Sequence, residues 1–142
     1  VSTLNLSANH FKIFPAQLAK LQSVEFLDIS HNPFLGSFPR EINRMSSLRN
    51  LTMNHNKLQD LSSIKDATFN LFVLDASDNE LESLPEEVCQ SSTNLKSLNV
   101  SRNKMRFLPT GITKLINLSA LFLKDNKLEV SRDLFKQLTN LK

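Results

Sequence analysis

Glycine, cysteine and the largest aromatic residues are scarce in this chain. Its 142 residues include 2 Gly and 1 Cys, and there is no Trp or Tyr. Gly36 and Gly111 stand too far apart to form a glycine-rich phosphate loop. Cys89 alone can form neither an internal disulfide nor a multi-cysteine metal site. Because it has no His or basic neighbour in the sequence, we expect a partly buried structural thiol.

Long apolar runs and catalytic motifs are also lacking. No run approaches the roughly 18 apolar residues that a membrane helix needs. No H-E-x-x-H sequence and no nucleophile motif occurs. The sequence therefore predicts no catalytic residues, no metal, no other cofactor and no membrane span in this segment.

The charge is modest overall but uneven along the chain. The net charge is +3, with 17 basic and 14 acidic residues. Residues 1–59 carry 6 basic and 3 acidic groups, residues 60–94 carry 1 and 8, and residues 95–142 carry 10 and 3. This uneven distribution of charge affects how binding partners are attracted and oriented more than it affects the fold. The sequence predicts no nucleic-acid partner.

Leucine and asparagine dominate the chain in a regular pattern. There are 25 Leu and 15 Asn, and Asn recurs at intervals of 23 or 24 residues, at Asn9, Asn32, Asn56, Asn79, Asn103 and Asn126. Apolar residues stand eight, five and three positions before each of these Asn residues and two positions after it. The motif L-x-x-L-x-L-x-x-N-x-L thus occurs six times in register.

This pattern resembles the leucine-rich repeat family over the whole chain. The resemblance implies an α/β solenoid with short parallel strands on its concave face and irregular, 3₁₀ or short helical segments on its convex face. The repeats span residues 1–23, 24–47, 48–70, 71–94, 95–117 and 118–140. The period-two alternation before each Asn independently predicts a strand whose Leu side chains point inward. The Asn side chain, with one acceptor and two donors, is expected to bond backbone groups in a buried ladder.

The second half of each repeat indicates a mixed subtype. An apolar residue followed by Pro15, Pro39, Pro85 or Pro109 resembles intracellular Ras-pathway and plant intracellular repeats. Repeat two, around Pro33 to Pro39, is similar to plant receptor repeats; repeat six, with Leu134, Phe135 and Leu138, is similar to animal extracellular receptors. Repeat three lacks the Pro. A cytoplasmic location is favoured and an extracellular one stays open, since four N-x-S/T sequons occur, at Asn5, Asn50, Asn99 and Asn117.

Both ends look cut, with apolar repeat faces left uncovered. The sequence therefore predicts a fragment of a longer protein, with possible end-to-end self-association.

Outward-pointing strand residues provide the candidate partner-binding surface. Most are small or polar, but large apolar groups and cations interrupt them, and such groups anchor interfaces. The candidate partner-binding residues are Phe26, Asp28, Arg49, His55, Phe72, Val73, Asp75, Lys96, Arg102 and Phe122. A competing basic edge comprises Arg102, Lys104, Arg106, Lys124 and Lys127.

One row of polar side chains offers an alternative interpretation, a zinc site. His31, His55 and Asp78 share repeat position 8 with Arg102, and neighbouring parallel strands lie about 4.8 Å apart. His and Asp are zinc ligands. A solvated polar ladder is the favoured interpretation.

The function predicted from these features is a non-enzymatic module that binds a protein or peptide on the concave sheet, in signalling or scaffolding. The alternatives are a regulatory or targeting segment of a larger kinase, cyclase or phosphatase, and an ectodomain fragment of a leucine-rich repeat receptor.

Overall fold

A six-stranded parallel sheet runs through the whole array. The structure, a computed structural model, describes residues 2–33, 36–129 and Lys136. The strands are β1 (Ser2–Asn5), β2 (Val24–Asp28), β3 (Asn50–Thr52), β4 (Val73–Asp75), β5 (Ser97–Asn99) and β6 (Ala120–Phe122). They follow one another in the sheet in chain order. This is the α/β solenoid predicted from the repeats.

The four inner strands bury their central leucine and turn the residues beside it outward, whereas Leu4 of β1 and Leu121 of β6 are half-buried. The central residues Leu27, Leu51, Leu74 and Leu98 are at most 2% exposed. They are aligned with one another across the sheet, so the same repeat position is adjacent in neighbouring strands. The alternation of side chains along a strand accounts for this arrangement.

Short helices begin directly after proline on the convex side. Three are 3₁₀ helices, Ala16–Lys20, Arg40–Arg44 and Thr110–Lys114, and one is the α-helix α1, Glu86–Ser91. The residue before each is Pro15, Pro39, Pro109 or Pro85, with φ between −70° and −64°. Proline fixes φ and has no N–H, which suits the first turn. The Pro pattern therefore correctly predicted these segments.

Repeat three is different because it lacks the proline. Residues 48–70 contain β3 and no helix. Leu61, Ile64 and Phe69 are nonetheless at most 2% exposed, so this irregular segment still covers the core. The predicted features around Phe34, Leu134, Phe135 and Leu138, and the predicted first position of repeat one at Val1, lie outside the described residues.

Asparagine side chains join consecutive repeats. Asn79 is 8% exposed. Its Oδ1 accepts hydrogen bonds from the backbone N–H groups of Asn56 and Leu58, both at 3.0 Å. Its Nδ2 donates to three backbone carbonyls within 3.1 Å, those of Met53, Ala76 and Ser77. Asn32, Asn56 and Asn103 are also buried and bonded to backbone groups. The predicted buried ladder is confirmed in these four repeats, whereas Asn9 is exposed and Asn126 is half-buried.

A second set of side-chain hydrogen bonds stabilises the turns that follow β1, β2, β4 and β5. At repeat position 5, Oδ1 of Asp28 accepts from the backbone N–H of Ser30 at 2.9 Å and from its hydroxyl at 2.6 Å. Oδ1 of Asp75 accepts in the same way from Ser77. The pairs Asn5–Ser7 and Asn99–Ser101 repeat the arrangement.

Repeat position 8 adopts a left-handed backbone conformation in all six repeats. The φ values lie between 52° and 57° at Ala8, His31, His55, Asp78, Arg102 and Asp125. Among residues other than glycine, Asp and His enter this region more readily than most. The residue types at this position are therefore partly dictated by the turn, independently of any ligand.

We expect Asn79→Ala to lower the free energy of unfolding by about 1–3 kcal/mol, because it strands buried N–H and C=O groups in two repeats. Asn117→Ala is the matched control, since Asn117 is exposed and makes one 3.5 Å contact with Asn94. Urea denaturation followed by circular dichroism measures both variants. Equal midpoints for the two would contradict a stabilising role of the ladder.

Candidate functional site

Phe72 lies between two cations on the outward side of the sheet. It directly precedes β4, and the guanidinium carbon of Arg49 lies 5.7 Å from its ring centre. The ammonium nitrogen of Lys96 lies 5.2 Å from the same centre. Both distances are within the range of a cation–π contact. The structure thus brings together Arg49, Phe72 and Lys96, which the sequence had placed as neighbours; we call them the cation–Phe72 cluster.

The arginine of this cluster is held in place by backbone carbonyls. Its Nη1 donates to the carbonyl of Leu48 at 2.9 Å, and more weakly to those of Ser46 at 3.3 Å and Asn70 at 3.4 Å. Lys96 is exposed and carries no such restraint among the described contacts. The cluster therefore combines one fixed and one adaptable cation.

Val73 and Phe26 extend the apolar part of this surface. Val73 is aligned with Asn50, and Asn50 with Phe26, so all three occupy one row across β2 to β4. Phe26 is 39% exposed, whereas Phe72 and Val73 are half-buried. Phe122 is 51% exposed but lies on β6, two strands from β4. It is thus separate from the central group.

The two aspartates of the candidate site have a structural role that the sequence analysis missed. Asp28 and Asp75 each use Oδ1 to hold the serine two residues later. They are half-buried and still line the outward face. The pattern of Asp or Asn at position 5 with Ser at position 7 was visible in the sequence and could have revealed this role.

From His31 to Arg102, the residues at position 8 form a continuous polar row along the strand ends. The rings of His31 and His55 stack with centroids 4.4 Å apart and planes 10° from parallel. His55 Nε2 lies 3.7 Å from Asp78 Oδ2. Arg102 binds Asp78 through two hydrogen bonds, Nε to Oδ1 at 2.6 Å and Nη2 to Oδ2 at 2.8 Å. The candidate residues His55 and Arg102 thus belong to this row and not to the cation–Phe72 cluster.

The contacts within this polar row lower the pKa of Asp78. The two hydrogen bonds from Arg102 lower the pKa of Asp78 below its ordinary value, while partial burial opposes this shift. The same pair raises the pKa of Arg102. In the part of the chain that the structure describes, no group of three or more His, Cys, Asp or Glu side chains is arranged to hold a metal ion.

Several exposed apolar side chains were not singled out from the sequence, among them Ile13 and Phe107. Ile13 is 75% exposed and Phe107 is 59% exposed. Both stand at repeat position 13, between the Asn turn and the convex segment, and therefore away from the sheet. Single exposed apolar residues are common on soluble proteins, so neither marks a site by itself.

Cys89 lies under the convex surface. It is 6% exposed on α1, and burial raises the pKa of its thiol to about 12, with a smaller contribution from the nearby Glu86 carboxylate. A thiol in this state is protonated at neutral pH and is not a nucleophile. The expected structural role agrees with this environment.

Known protein families contain the same repeat. Family models described as leucine-rich repeats match residues 69–128 and residues 23–45. The chain belongs to the leucine-rich repeat family. The intracellular subtype suggested by the proline pattern stays a prediction.

The relatives of this leucine-rich repeat chain are much longer proteins with different roles. It is 30% identical to the human oligodendrocyte-myelin glycoprotein over 146 residues, covering 87% of this chain and 32% of that protein. It is 32% identical to an adenylate cyclase of Podospora anserina over 108 residues, covering 75% of this chain and 5% of that enzyme. The chain thus spans about a third or less of these relatives.

Solved structures share the leucine-rich repeat fold. A leucine-rich repeat protein of Leptospira interrogans superposes with a TM-score of 0.83 at 34% identity, over 98% of this chain and 35% of that one. TLR13 in its complex with ssRNA13 gives 0.82 at 27%, over 99% and 20%. The plant peptide hormone receptor RGFR1, in complex with RGF2, gives 0.73 at 29%, over 90% and 21%.

Among the helices that the structure describes, none has the length and the apolar character of a membrane-spanning segment.

The Asp78–Arg102 pair generates a pH prediction. The pKa of Asp78 is lower in the folded chain than its ordinary value. Ionised Asp78 therefore stabilises the folded state above the ordinary carboxyl pKa, and this stabilisation is lost as the pH falls through the lower folded-state pKa. We expect Arg102→Ala to move the Asp78 titration toward higher pH, and Lys104→Ala to leave it unchanged. NMR of the side-chain carboxyl carbon follows both. A titration unchanged in Arg102→Ala would contradict the assigned cause.

We expect the Cys89 thiol to resist iodoacetamide at pH 8 in the folded chain and to react in concentrated urea. The reason is its pKa near 12 together with its burial. Mass spectrometry of the alkylated protein measures the modified fraction with time. Rapid modification under native conditions would show that the thiol is accessible.

Proposed function

We propose that this leucine-rich repeat array is a non-catalytic module that binds a protein or peptide on its concave sheet, across repeats two to five. The observation that carries the proposal is the cation–Phe72 cluster at the centre of the outward face. An aromatic ring with an adjacent arginine is the composition of interface hot spots. Val73 and Phe26 add apolar area beside it.

The charges around the cluster suggest the character of the partner. Arg49 and Lys96 favour an acidic or mixed-charge segment next to an apolar residue. Asp28 and Asp75 repeat a negative charge along position 5, which disfavours a uniformly acidic ligand. This acidic row also disfavours a nucleic-acid backbone, although a structural neighbour, TLR13, is in complex with ssRNA13. We therefore keep protein or peptide as the partner class, in signalling or scaffolding.

The kind of longer protein that contains this array is itself a proposal. One relative is an adenylate cyclase, another is a probable inactive serine/threonine kinase, and a third is a glycoprotein. A regulatory segment of an enzyme and a receptor ectodomain both use the same array as a binding surface, so the concave-face proposal holds for either parent. End-to-end self-association of the segment remains a prediction.

A second candidate surface is the basic edge. Lys104, Arg106 and Lys127 line one cavity of about 460 Å³, together with Glu82 and Glu129. A partner held there would bind chiefly through exposed charges, and its affinity would fall steeply with salt. Such binding would be indifferent to Phe72.

We expect Phe72→Ala to weaken partner binding by at least about 1–2 kcal/mol, roughly 5- to 30-fold, because it removes the central anchor. Phe107→Ala is the matched control, since Phe107 is an exposed phenylalanine away from the sheet. Proteins retained by the immobilised chain are quantified by mass spectrometry for wild type and both variants. Thermal melts establish that each variant is folded.

The double variant Lys104→Glu/Lys127→Glu tests the competing surface in the same assay. Full binding by Phe72→Ala, together with loss in the charge-reversed variant, would move the site to the basic edge. Full binding by all variants would overturn both proposals.

A further inference from the structure

Repeat three leaves a gap in the row of convex helices. The 3₁₀ helix Arg40–Arg44 precedes the gap and α1 follows it, whereas residues 48–70 contain no helix. One cavity of about 850 Å³ is lined by the 3₁₀ helix Arg40–Arg44 and the segment 62–66, and it extends to Ala16 and Ala19 of the preceding 3₁₀ helix. Another of about 470 Å³ lies between the segment 64–67 and α1. Lys65 and Asp66 line both cavities. We call the two cavities together the convex notch.

Each wall of the notch carries a buried polar atom without a hydrogen-bond partner. Asn43 lines the first cavity and is 7% exposed. Its Nδ2 donates to the carbonyl of Ser63 at 2.8 Å, but its Oδ1 has no partner among the described residues. Ser91 lines the second cavity, and its Oγ is likewise buried and unpartnered within the described chain. Buried polar atoms are normally paired. Both of these atoms have almost no accessible surface, so a donor from a ligand reaches them only when the neighbouring side chains move aside.

The notch is also polarised along its length. The first cavity is lined by the exposed cations Arg40, Arg44 and Lys65 and by the acids Glu41 and Asp66. The second cavity is lined by the acids Asp66 and Glu87, and Lys65 is the one cation among its described lining residues. A ligand lying along the notch therefore meets positive charge at one end and negative charge at the other.

We propose that the convex notch binds an extended polypeptide segment of polar sequence, with acidic residues over Arg40 and Arg44 and basic residues over Glu87. In an extended chain successive N–H groups alternate in direction, so those that face one surface recur about every 6.6 Å. Such groups can supply donors to Asn43 Oδ1 and to Ser91 Oγ. Small-molecule sites are instead enclosed and mostly apolar, whereas this notch is open and polar. The opposite charges at its two ends fix the direction of the bound segment. This surface is independent of the concave sheet.

The test is selection of a random 12-residue phage-displayed peptide library on the immobilised full chain. We expect enriched peptides to carry acidic residues toward one end and basic residues toward the other. Their affinity should fall at least tenfold for Arg40→Glu/Arg44→Glu. The control Lys104→Glu/Arg106→Glu makes the same charge change on another exposed surface and should retain binding, as should Phe72→Ala.

The outcomes separate this proposal from the concave-face proposal. Peptides that lose binding to Phe72→Ala but not to the Arg40→Glu/Arg44→Glu variant occupy the sheet and overturn the notch as their site. A selection that enriches no peptide sensitive to the notch variant overturns it as well. Amide chemical-shift changes in the wild-type chain provide a second measurement that needs no variant. We expect these changes at Ser63 and Ser91, and shifts confined to residues of the sheet would contradict the proposal.

Discussion

The asparagine at repeat position 9 is the interaction on which the array depends. Asn79 accepts from two N–H groups of the preceding repeat and donates to carbonyls of that repeat and its own. The backbone of a turn cannot satisfy these groups internally, and leaving them unpaired in the core is costly. One side chain thus satisfies the turns of two repeats. Because each repeat contacts mainly its neighbours, the repetition of this bond holds the whole stack in register.

Register in turn determines which side chains meet on the surface. Residues 23 or 24 apart become neighbours, so the surface is organised in rows across the strands. The contacts of Phe72 with Arg49 and Lys96 arise in this way, as does the stacking of His31 on His55. A single substitution at a row position therefore changes contacts with two adjacent repeats, while the backbone below it is maintained by the buried leucines and asparagines.

The repeat pattern was sufficient to predict the strands, the asparagine ladder and the proline-initiated helices, because each depends on residues within one repeat or its equivalent in the next. It did not predict the left-handed backbone at position 8, where His31 and Asp78 occupy a conformation that restricts residue type. It also missed the carbonyl contacts that fix Arg49, and the unpartnered amide oxygen of Asn43. The backbone at position 8 is set by the turn that follows each strand, and the other two features depend on how neighbouring segments pack. The spacing of leucines encodes neither.

The same array occurs within proteins as different as a myelin glycoprotein and an adenylate cyclase, so fold alone does not determine function. What is particular to this chain is the placement of charge. Repeat four lies in a segment with 8 acidic residues and 1 basic residue, yet the ring of Phe72 in that repeat is flanked by cations from repeats three and five. Because salt screens charges more than about 8–10 Å away, a partner that docks on Phe72 meets mainly the two local cations, while Asp28 and Asp75 present negative charge elsewhere on the same face. A ligand that carries both signs matches that pattern better than one of uniform charge, which is the physical basis for proposing a mixed-charge protein segment.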